Sequence, residues 1–287
     1  MSIALKAYAK VNIHLDITGR FSDGYHSLFM VMQSVGLYDR IILEKAGKGI
    51  TLLCSDKNIP LDESNTEYKA ARLFFEKTGI HGGAVIETEK NIPQQAGLAG
   101  GSADAAAVLT GLNILYGAGL SEHQLREIGL QVGSDVPFCL KGGTCLVQSR
   151  GGIIAPVKPA ENCFAVLVKP ERGVSTAQAY ADADETYLYH PDNSRMLEAC
   201  ETGSFEDICK YAGNVFEQVV EVPERVDIKK IMREHNCLMA QMTGSGPTVF
   251  GLFGSKDDAQ AAAEKLKKIC PGVFLTEPVD CGVCFEQ

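Results

Sequence analysis

Residues 93–104, Pro-Gln-Gln-Ala-Gly-Leu-Ala-Gly-Gly-Ser-Ala-Asp, join a strand-like run at 84–88 to a helical pattern that extends from Ala103 to Tyr116. Glycines let the backbone approach a ligand and turn several N–H groups inward, and the positive end of the following helix attracts phosphate. Ser102 fits either the N-cap of that helix or a hydroxyl that reaches phosphate or Mg²⁺. A tight strand-to-helix connection without a ligand is the alternative. The density of small residues favours the anion-binding loop.

The same loop excludes the common nucleotide-binding motifs. No Gly-Lys-Ser/Thr follows its glycines, as a Walker A loop requires, and the G-x-G-x-x-G spacing of dinucleotide-binding proteins is absent. The chain also lacks the His-Arg-Asp and Asp-Phe-Gly motifs of protein kinases and the G-x-S-x-G elbow of hydrolases. A phosphate ligand must therefore be argued from other segments.

Three further segments carry residues with chemical potential. From Ala9 to Ile17 apolar and polar residues alternate, which is typical of a half-buried strand and puts Lys10 and Asn12 on one face. Asp135 lies in the short turn Gly-Ser-Asp-Val-Pro, and a second small-residue loop, Thr-Gly-Ser-Gly-Pro, occupies 243–247. Taken singly, such a lysine is usually solvated and such an aspartate usually belongs to a turn.

The remaining pattern predicts an α+β fold. Ser64 and Glu67 form a capping-box pattern for a helix that would end at Gly79, and Ser121 opens a second helix that ends near Gly133. Strand-like runs occupy 35–43, 50–54, 144–148, 163–169, 237–242, 247–253 and 273–276, and helical patterns occupy 175–183, 205–220, 224–235 and 256–269.

Chain length and the positions of glycines and prolines predict two domains. A chain of 287 residues is long enough for two, and the glycines and prolines that separate the runs at 144–148 and 163–169 mark a junction. We therefore predict an N-terminal domain over 1–158 and a smaller helix-on-sheet domain over 159–287.

Composition limits the classes of partner. The 27 basic and 36 acidic residues give a net charge of −9, which argues against nucleic acid as a partner. With 45% hydrophobic and 22% charged residues, and no apolar stretch long enough to span a membrane, the sequence predicts a cytoplasmic globular protein and leaves its oligomeric state open. The ten scattered cysteines are expected to be mostly reduced and buried, and Cys281-x-x-Cys284 alone is a weak signal for metal or redox chemistry.

Taken together, these segments resemble the GHMP superfamily of small-molecule kinases. The resemblance rests on the strand around Lys10, the P-x-x-x-G-L-x-G-G-S loop at 93–102 and the Thr-Gly-Ser-Gly loop at 243–246. The segments 9–15, 23–26, 97–106 and 133–138 are similar to the branch that acts on a CDP-linked methylerythritol. The resemblance implies a two-domain α+β GHMP kinase fold with its active site in the cleft between the domains.

The implied activity is ATP-dependent phosphorylation of the 2-hydroxyl of that substrate, in the non-mevalonate pathway to isoprenoid precursors. Asp135 would be the general base, and Lys10 would keep its carboxylate ionised and stabilise the transferring phosphoryl group. Mg²⁺ would arrive with ATP and contact the protein at most through Ser102. Asn65 would bind adenine, although it also suits helix capping. The ATP site would comprise Pro93, Gln94, Gln95, Ala96, Gly97, Leu98, Ala99, Gly100, Gly101, Ser102, Ala103 and Asn65.

The resemblance also implies a cytosine site. His26, with Asn12 nearby, would hydrogen-bond the base, and Tyr25 and Tyr180 would sandwich it. The substrate residues would be Asn12, Tyr25, His26, Tyr180, Gly244 and Ser245. A turn role for Tyr25 and His26 and helix packing for Tyr180 are the alternatives.

Two rival functions stay open at this point: another GHMP kinase, acting on homoserine, mevalonate or a sugar, and a non-catalytic ligand-binding or regulatory protein of the same fold. One departure from the family pattern concerns residues 99–103, which read Ala-Gly-Gly-Ser-Ala where many relatives carry Gly-Gly-Gly-Ser-Ser. The second serine of that pattern, which would offer phosphate a hydroxyl, is Ala103 here. We expect ATP binding to persist, because backbone N–H groups do most of the cradling.

Overall fold

Two β-sheets with helices packed against them form the protein, as a computed structural model describes it over residues 2–158 and 163–286. The strands are β1 (Ser2–Arg20), β2 (His26–Ala46), β3 (Gly49–Cys54), β4 (Gly83–Glu89), β5 (Thr144–Ser149), β6 (Ile153–Pro156), β7 (Phe164–Lys169), β8 (Gly213–Asn214), β9 (Met239–Met242), β10 (Val249–Phe253), β11 (Gly272–Thr276) and β12 (Val283–Phe285). The helices are α1 (Thr66–Thr78), α2 (Gly100–Tyr116), α3 (Glu122–Val132), α4 (Val136–Lys141), α5 (Thr176–Glu185), α6 (Asn193–Thr202), α7 (Phe205–Lys210), α8 (Arg225–Glu234) and α9 (Lys256–Leu266).

The first sheet is built on the long β1–β2 hairpin. Its strands run in the order β12-β1-β2-β4-β3, with β5 also paired to β2, β6 to β5 and β8 to β1. The strand predicted for residues 9–17 is confirmed, but its half-buried character is wrong: Lys10, Asn12, His14 and Asp16 are as buried as the apolar residues between them. Helix α2 packs closely on this sheet: a Cβ on Gly111 would lie 2.2 Å from the side chain of Leu43.

The second sheet is antiparallel, in the order β11-β7-β10-β9. Helices α8 and α9 cover one face, where Ile228, Met232 and Leu266 pack with Val166 and Val168 of β7. The chain then returns to the first sheet, where β12 pairs with β1. The junction predicted near residue 159 lies outside the described residues, so the boundary between 158 and 159 stays a prediction.

Most predicted elements are confirmed, and the differences have local causes. The capping box at Ser121 and the C-cap at Gly79 are present. The Ser64 box is wrong: Asn65 caps α1, because the Asp62 carboxylate holds both the N–H and the hydroxyl of Ser64. The helix predicted over 205–220 is α7 followed by β8 and a 3₁₀ turn over Val215–Gln218.

Two further expectations concern cysteines and membranes. Eight cysteines are free thiols, most of them buried, and Cys281 and Cys284 form a disulfide. None of the helices in the described parts of the chain has the length and apolar character needed to cross a membrane.

Candidate active site

The glycine-rich loop lies against β1 and ends where α2 begins. Ala99, with φ 59°, is the N-cap of α2, so Ser102 belongs to the first turn of the helix and the N-cap alternative for it is wrong. The Lys10 N–H donates to Leu98 O over 3.1 Å, which ties the loop to the middle of β1. Backbone N–H groups in the first turn of a helix have no intrahelical acceptor, so this end of α2 suits an anion.

A second loop, residues 243–246, interlocks with the first. A Cβ on Gly97 would lie 2.2 Å from Thr243 O, and Gly97 has φ +73°, so only glycine fits there. The Thr243 hydroxyl donates to Gly97 O at 3.3 Å and accepts from the Asn12 N–H at 2.9 Å. The Thr243 hydroxyl therefore joins backbone atoms of the first loop and of β1, although the three segments are far apart in sequence.

Lys10 and Asp135 meet beside these loops. Lys10 Nζ lies 3.5 Å from Asp135 Oδ2 and donates to Asn12 Oδ1 at 2.7 Å. The Lys10 side chain is only 5% exposed, whereas that of Asp135 is 32% exposed and therefore open to a ligand. Asp135 precedes α4, and a Cβ on Gly151 would lie 2.2 Å from Ser134 O, so the β5–β6 turn packs tightly on the Asp135 segment. The arrangement places a fixed cation next to an accessible carboxylate.

One cavity of about 980 Å³ collects nearly all of the predicted site residues, within the size range of small-molecule sites. Leu98 and Ala103 do not line it, because both side chains are buried behind the loop. The predicted residues that line the cavity are Lys10, Asn12, Tyr25, His26, Asn65, Pro93, Gln94, Gln95, Ala96, Gly97, Ala99, Gly100, Gly101, Ser102, Asp135, Tyr180, Gly244 and Ser245.

The amide of Asn65 makes two hydrogen bonds within the protein. Its Oδ1 accepts from the Glu67 N–H at 2.7 Å, and its Nδ2 donates to Pro60 O at 2.8 Å. The capping alternative is therefore confirmed, and the adenine contact stays a prediction.

Elsewhere in the cavity wall, His26 and Tyr180 form a stacked pair. Their ring centroids are 4.6 Å apart with an interplanar angle of 19°, so the imidazole covers one face of Tyr180. Burial raises the pKa of the Tyr180 phenol above its usual range, and the nearby Asp135 charge adds to this effect. Tyr25 is 60% exposed at the tip of the β1–β2 hairpin. The Arg150 guanidinium lies 5.1 Å from the Tyr25 ring centroid and pairs with Asp23 at 2.6 Å.

A buried ion network under the glycine-rich loop escaped the sequence analysis. Lys90 Nζ contacts Asp39 and lies 2.5 Å from Asp104 Oδ2. Burial lowers the pKa of Lys90, but the two carboxylates outweigh burial and the net shift is upward. Burial also raises the pKa of Asp104 well above its usual range. The network ties β2 and the segment after β4 to Asp104 in the second turn of α2, the helix that follows the loop.

Other cavity-lining residues were also missed. Arg150 and Thr176 line the cavity, and the Thr176 hydroxyl lies 2.9 Å from the Ser245 hydroxyl. No local pattern distinguishes them, because each depends on contacts with residues distant in sequence. The described residues contain no group of three or more His, Cys, Asp or Glu side chains placed to hold a metal ion.

Similarity to known proteins agrees with this geometry. Residues 65–143 match the model of the GHMP kinases N terminal domain, and residues 196–272 match that of the GHMP kinases C terminal domain. The sequence is 45% identical to a 4-diphosphocytidyl-2-C-methyl-D-erythritol kinase from Caldicellulosiruptor saccharolyticus, over 95% of each chain. The chain belongs to the GHMP kinase family, in its 4-diphosphocytidyl-2-C-methyl-D-erythritol kinase branch.

Solved structures of GHMP kinases share the fold. A 4-(cytidine 5'-diphospho)-2C-methyl-D-erythritol kinase superposes with a TM-score of 0.73 at 31% identity, covering 96% of this chain and 98% of the other. A homoserine kinase from Cytophaga hutchinsonii gives a TM-score of 0.79 at 21% identity, covering 99% and 97%, which shows the common fold alone. The expected resemblance and the two-domain α+β GHMP kinase fold are thus confirmed.

Proposed function

We propose that this GHMP kinase transfers the γ-phosphoryl group of ATP to the 2-hydroxyl of 4-diphosphocytidyl-2-C-methyl-D-erythritol, a step toward isoprenoid precursors. The observation that carries the proposal is the Lys10–Asp135 pair, 3.5 Å apart in a cavity that the glycine-rich loop also lines. A carboxylate, an adjacent ammonium and an anion-binding loop are the groups that phosphoryl transfer to an alcohol requires.

In this proposal Asp135 accepts the proton of the attacking hydroxyl. Lys10 keeps the carboxylate ionised and stabilises charge on the phosphoryl group during transfer. Its ammonium is already oriented by the 2.7 Å hydrogen bond to Asn12 Oδ1. Positioning and electrostatics then supply most of the rate acceleration.

The nucleotide is assigned to the loop at 93–103 and the first turn of α2. Backbone N–H groups and the positive helix end would bind the phosphates. Mg²⁺ would neutralise charge on those phosphates, which would supply most of its ligands, with the Ser102 hydroxyl as the protein contact; this fits the presence of Ser102 in the cavity wall.

The CDP part of the substrate is assigned to the end of the cavity around His26. Aromatic faces of Tyr25 and Tyr180 suit a flat base, and the His26 ring supplies a polar edge. Because the imidazole covers one face of Tyr180, a base would contact the part of Tyr180 that the imidazole leaves open. Asn12, Gly244 and Ser245 would contact the remainder of the substrate.

The test is ADP release from Mg-ATP with four acceptors: the CDP-linked substrate, homoserine, mevalonate and galactose. We expect turnover only with the CDP-linked substrate and its loss in Asp135→Asn. Asp182→Asn is the matched control, because Asp182 bonds to Gln178 on an exposed part of α5. Preference for another acceptor would refute the substrate, and normal turnover by Asp135→Asn would refute the base. No turnover with any acceptor would favour the non-catalytic rival.

A further inference from the structure

Asp184 bridges helix α5 to both strands of the β1–β2 hairpin. Its Oδ1 accepts a hydrogen bond from His26 Nε2 at 2.7 Å, and its Oδ2 lies 3.1 Å from Arg20 Nη1. Arg20 ends β1 and His26 begins β2, so one carboxylate holds the two sides of the turn that carries Tyr25. None of the roles assigned above explains this contact.

The contact determines which ring nitrogen of His26 is available. The hydrogen bond from His26 keeps the pKa of Asp184 below its usual range, and an ionised carboxylate only accepts hydrogen bonds. Nε2 must therefore carry the proton. Nδ1 has no partner among the residues that the structure describes, and the His26 side chain, only 10% exposed, lines the cavity. In the neutral imidazole Nδ1 then presents a lone pair.

The same helix holds the ring from a second direction. Tyr180 and Asp184 are four residues apart on α5 and so share one face of the helix. Tyr180 stacks on the imidazole at 4.6 Å while Asp184 bonds its edge. The imidazole is thus fixed in both its plane and its rotation before any ligand binds.

We propose that Asp184 is a positioning residue that makes His26 a selective reader of the pyrimidine base. In the neutral imidazole, the fixed lone pair on Nδ1 accepts from the 4-amino group of cytosine and repels the 4-oxo group of uracil. The inference rests on the proposed function, since it names a determinant of that same CDP site.

The experiment compares Asp184→Ala and Asp184→Asn with the matched control Asp182→Ala on the same helix. The readouts are the KM values for the CDP-linked substrate and for ATP, kcat, and inhibition by CDP and by UDP. For Asp184→Ala we expect the substrate KM and the CDP inhibition constant to rise about tenfold, the loss expected for a hydrogen bond to a charged group. The KM for ATP and kcat should stay within about twofold, because the ATP loop and Asp135 are untouched.

Two further results distinguish positioning from a structural role. The preference for CDP over UDP should fall toward one in Asp184→Ala and be largely restored in Asp184→Asn, whose amide oxygen still accepts from Nε2. Asp182→Ala should match the wild type throughout. Wild-type KM and an unchanged CDP/UDP ratio in Asp184→Ala would overturn the inference while leaving the proposed function intact. A wild-type enzyme that CDP does not inhibit would overturn both.

Discussion

Replacing Gly97 by alanine tests whether the two glycine loops are interlocked. Alanine at φ +73° costs about 1–2 kcal/mol of left-handed strain. Its Cβ would also lie 2.2 Å from Thr243 O and 3.2 Å from Gly246 O, so the loops must separate by about 1 Å, and overpacking of this kind typically costs about 1–3 kcal/mol. We expect Gly97→Ala to lower the free energy of unfolding by about 2–5 kcal/mol.

Gly117→Ala is the matched control. Gly117 caps the C-terminal end of α2 with φ +61°, and no atom of the described residues lies within 4 Å of a Cβ placed there, so this variant measures the strain alone. Urea unfolding followed by circular dichroism should separate the two variants by about 1–3 kcal/mol. In the ADP-release assay, kcat/KM should fall about a hundredfold for Gly97→Ala and stay unchanged for Gly117→Ala. The reason is that displacing a substrate-positioning loop by about 1 Å has an effect of that size. Equal unfolding free energies and normal kcat/KM in both variants would refute the interlocking of the loops.

Three other substitutions test separate parts of the site. Asp135→Asn should lower kcat about 10²–10⁴-fold in the ADP-release assay and leave the KM for ATP within about twofold, because a general base acts in the transition state. Asn65→Ala should lower the free energy of unfolding in urea by about 1 kcal/mol, because the N-cap of α1 is lost, whereas Ser64→Ala should leave it nearly unchanged. Lys90→Met should lower the free energy of unfolding by about 3–5 kcal/mol at pH 7, because it leaves two buried carboxylates without their cation. At pH 5 the loss should be smaller, because the carboxylates take up protons. An equal loss of stability at both pH values would contradict this prediction.

Local patterns predicted those elements whose stability is local. The strand at 9–17 and the Ser121 capping box need only neighbouring residues, and both are present, although tertiary packing buries the polar face of the strand as well. The helical pattern at 205–220 failed because Asn214 is held from elsewhere. Its Nδ2 donates to Met242 O at 2.7 Å and to Gly244 O at 2.8 Å, and β8 pairs with β1. Tertiary hydrogen bonds that bury a polar side chain outweigh a helix propensity of a few tenths of a kcal/mol per residue.

The ion network at Lys90 shows the same limit for the site itself. Lys90 is 51 residues from Asp39 and 14 from Asp104, so only the folded sheet brings the three together. Nothing in the local sequence distinguishes this lysine from the solvated lysines of any strand end. Its position under the loop follows from the β2–β4 pairing. A one-residue change in the register of that pairing would turn the side chains to the other face of the sheet.

The glycine loops mark the boundary between what the sequence predicts and what only the fold decides. Gly97 and Gly244 are readable in the sequence as places where the backbone must approach something closely. Their partners are main-chain atoms: Thr243 O faces Gly97, and Gly97 O lies 3.2 Å from the Cβ position of Gly244. Because every residue offers the same carbonyl oxygen, no residue type in the sequence can name the partner. In the sequence, the contact is indicated only by the glycine itself. The identity of its partner becomes visible only in the folded protein, where both loops lie next to Lys10.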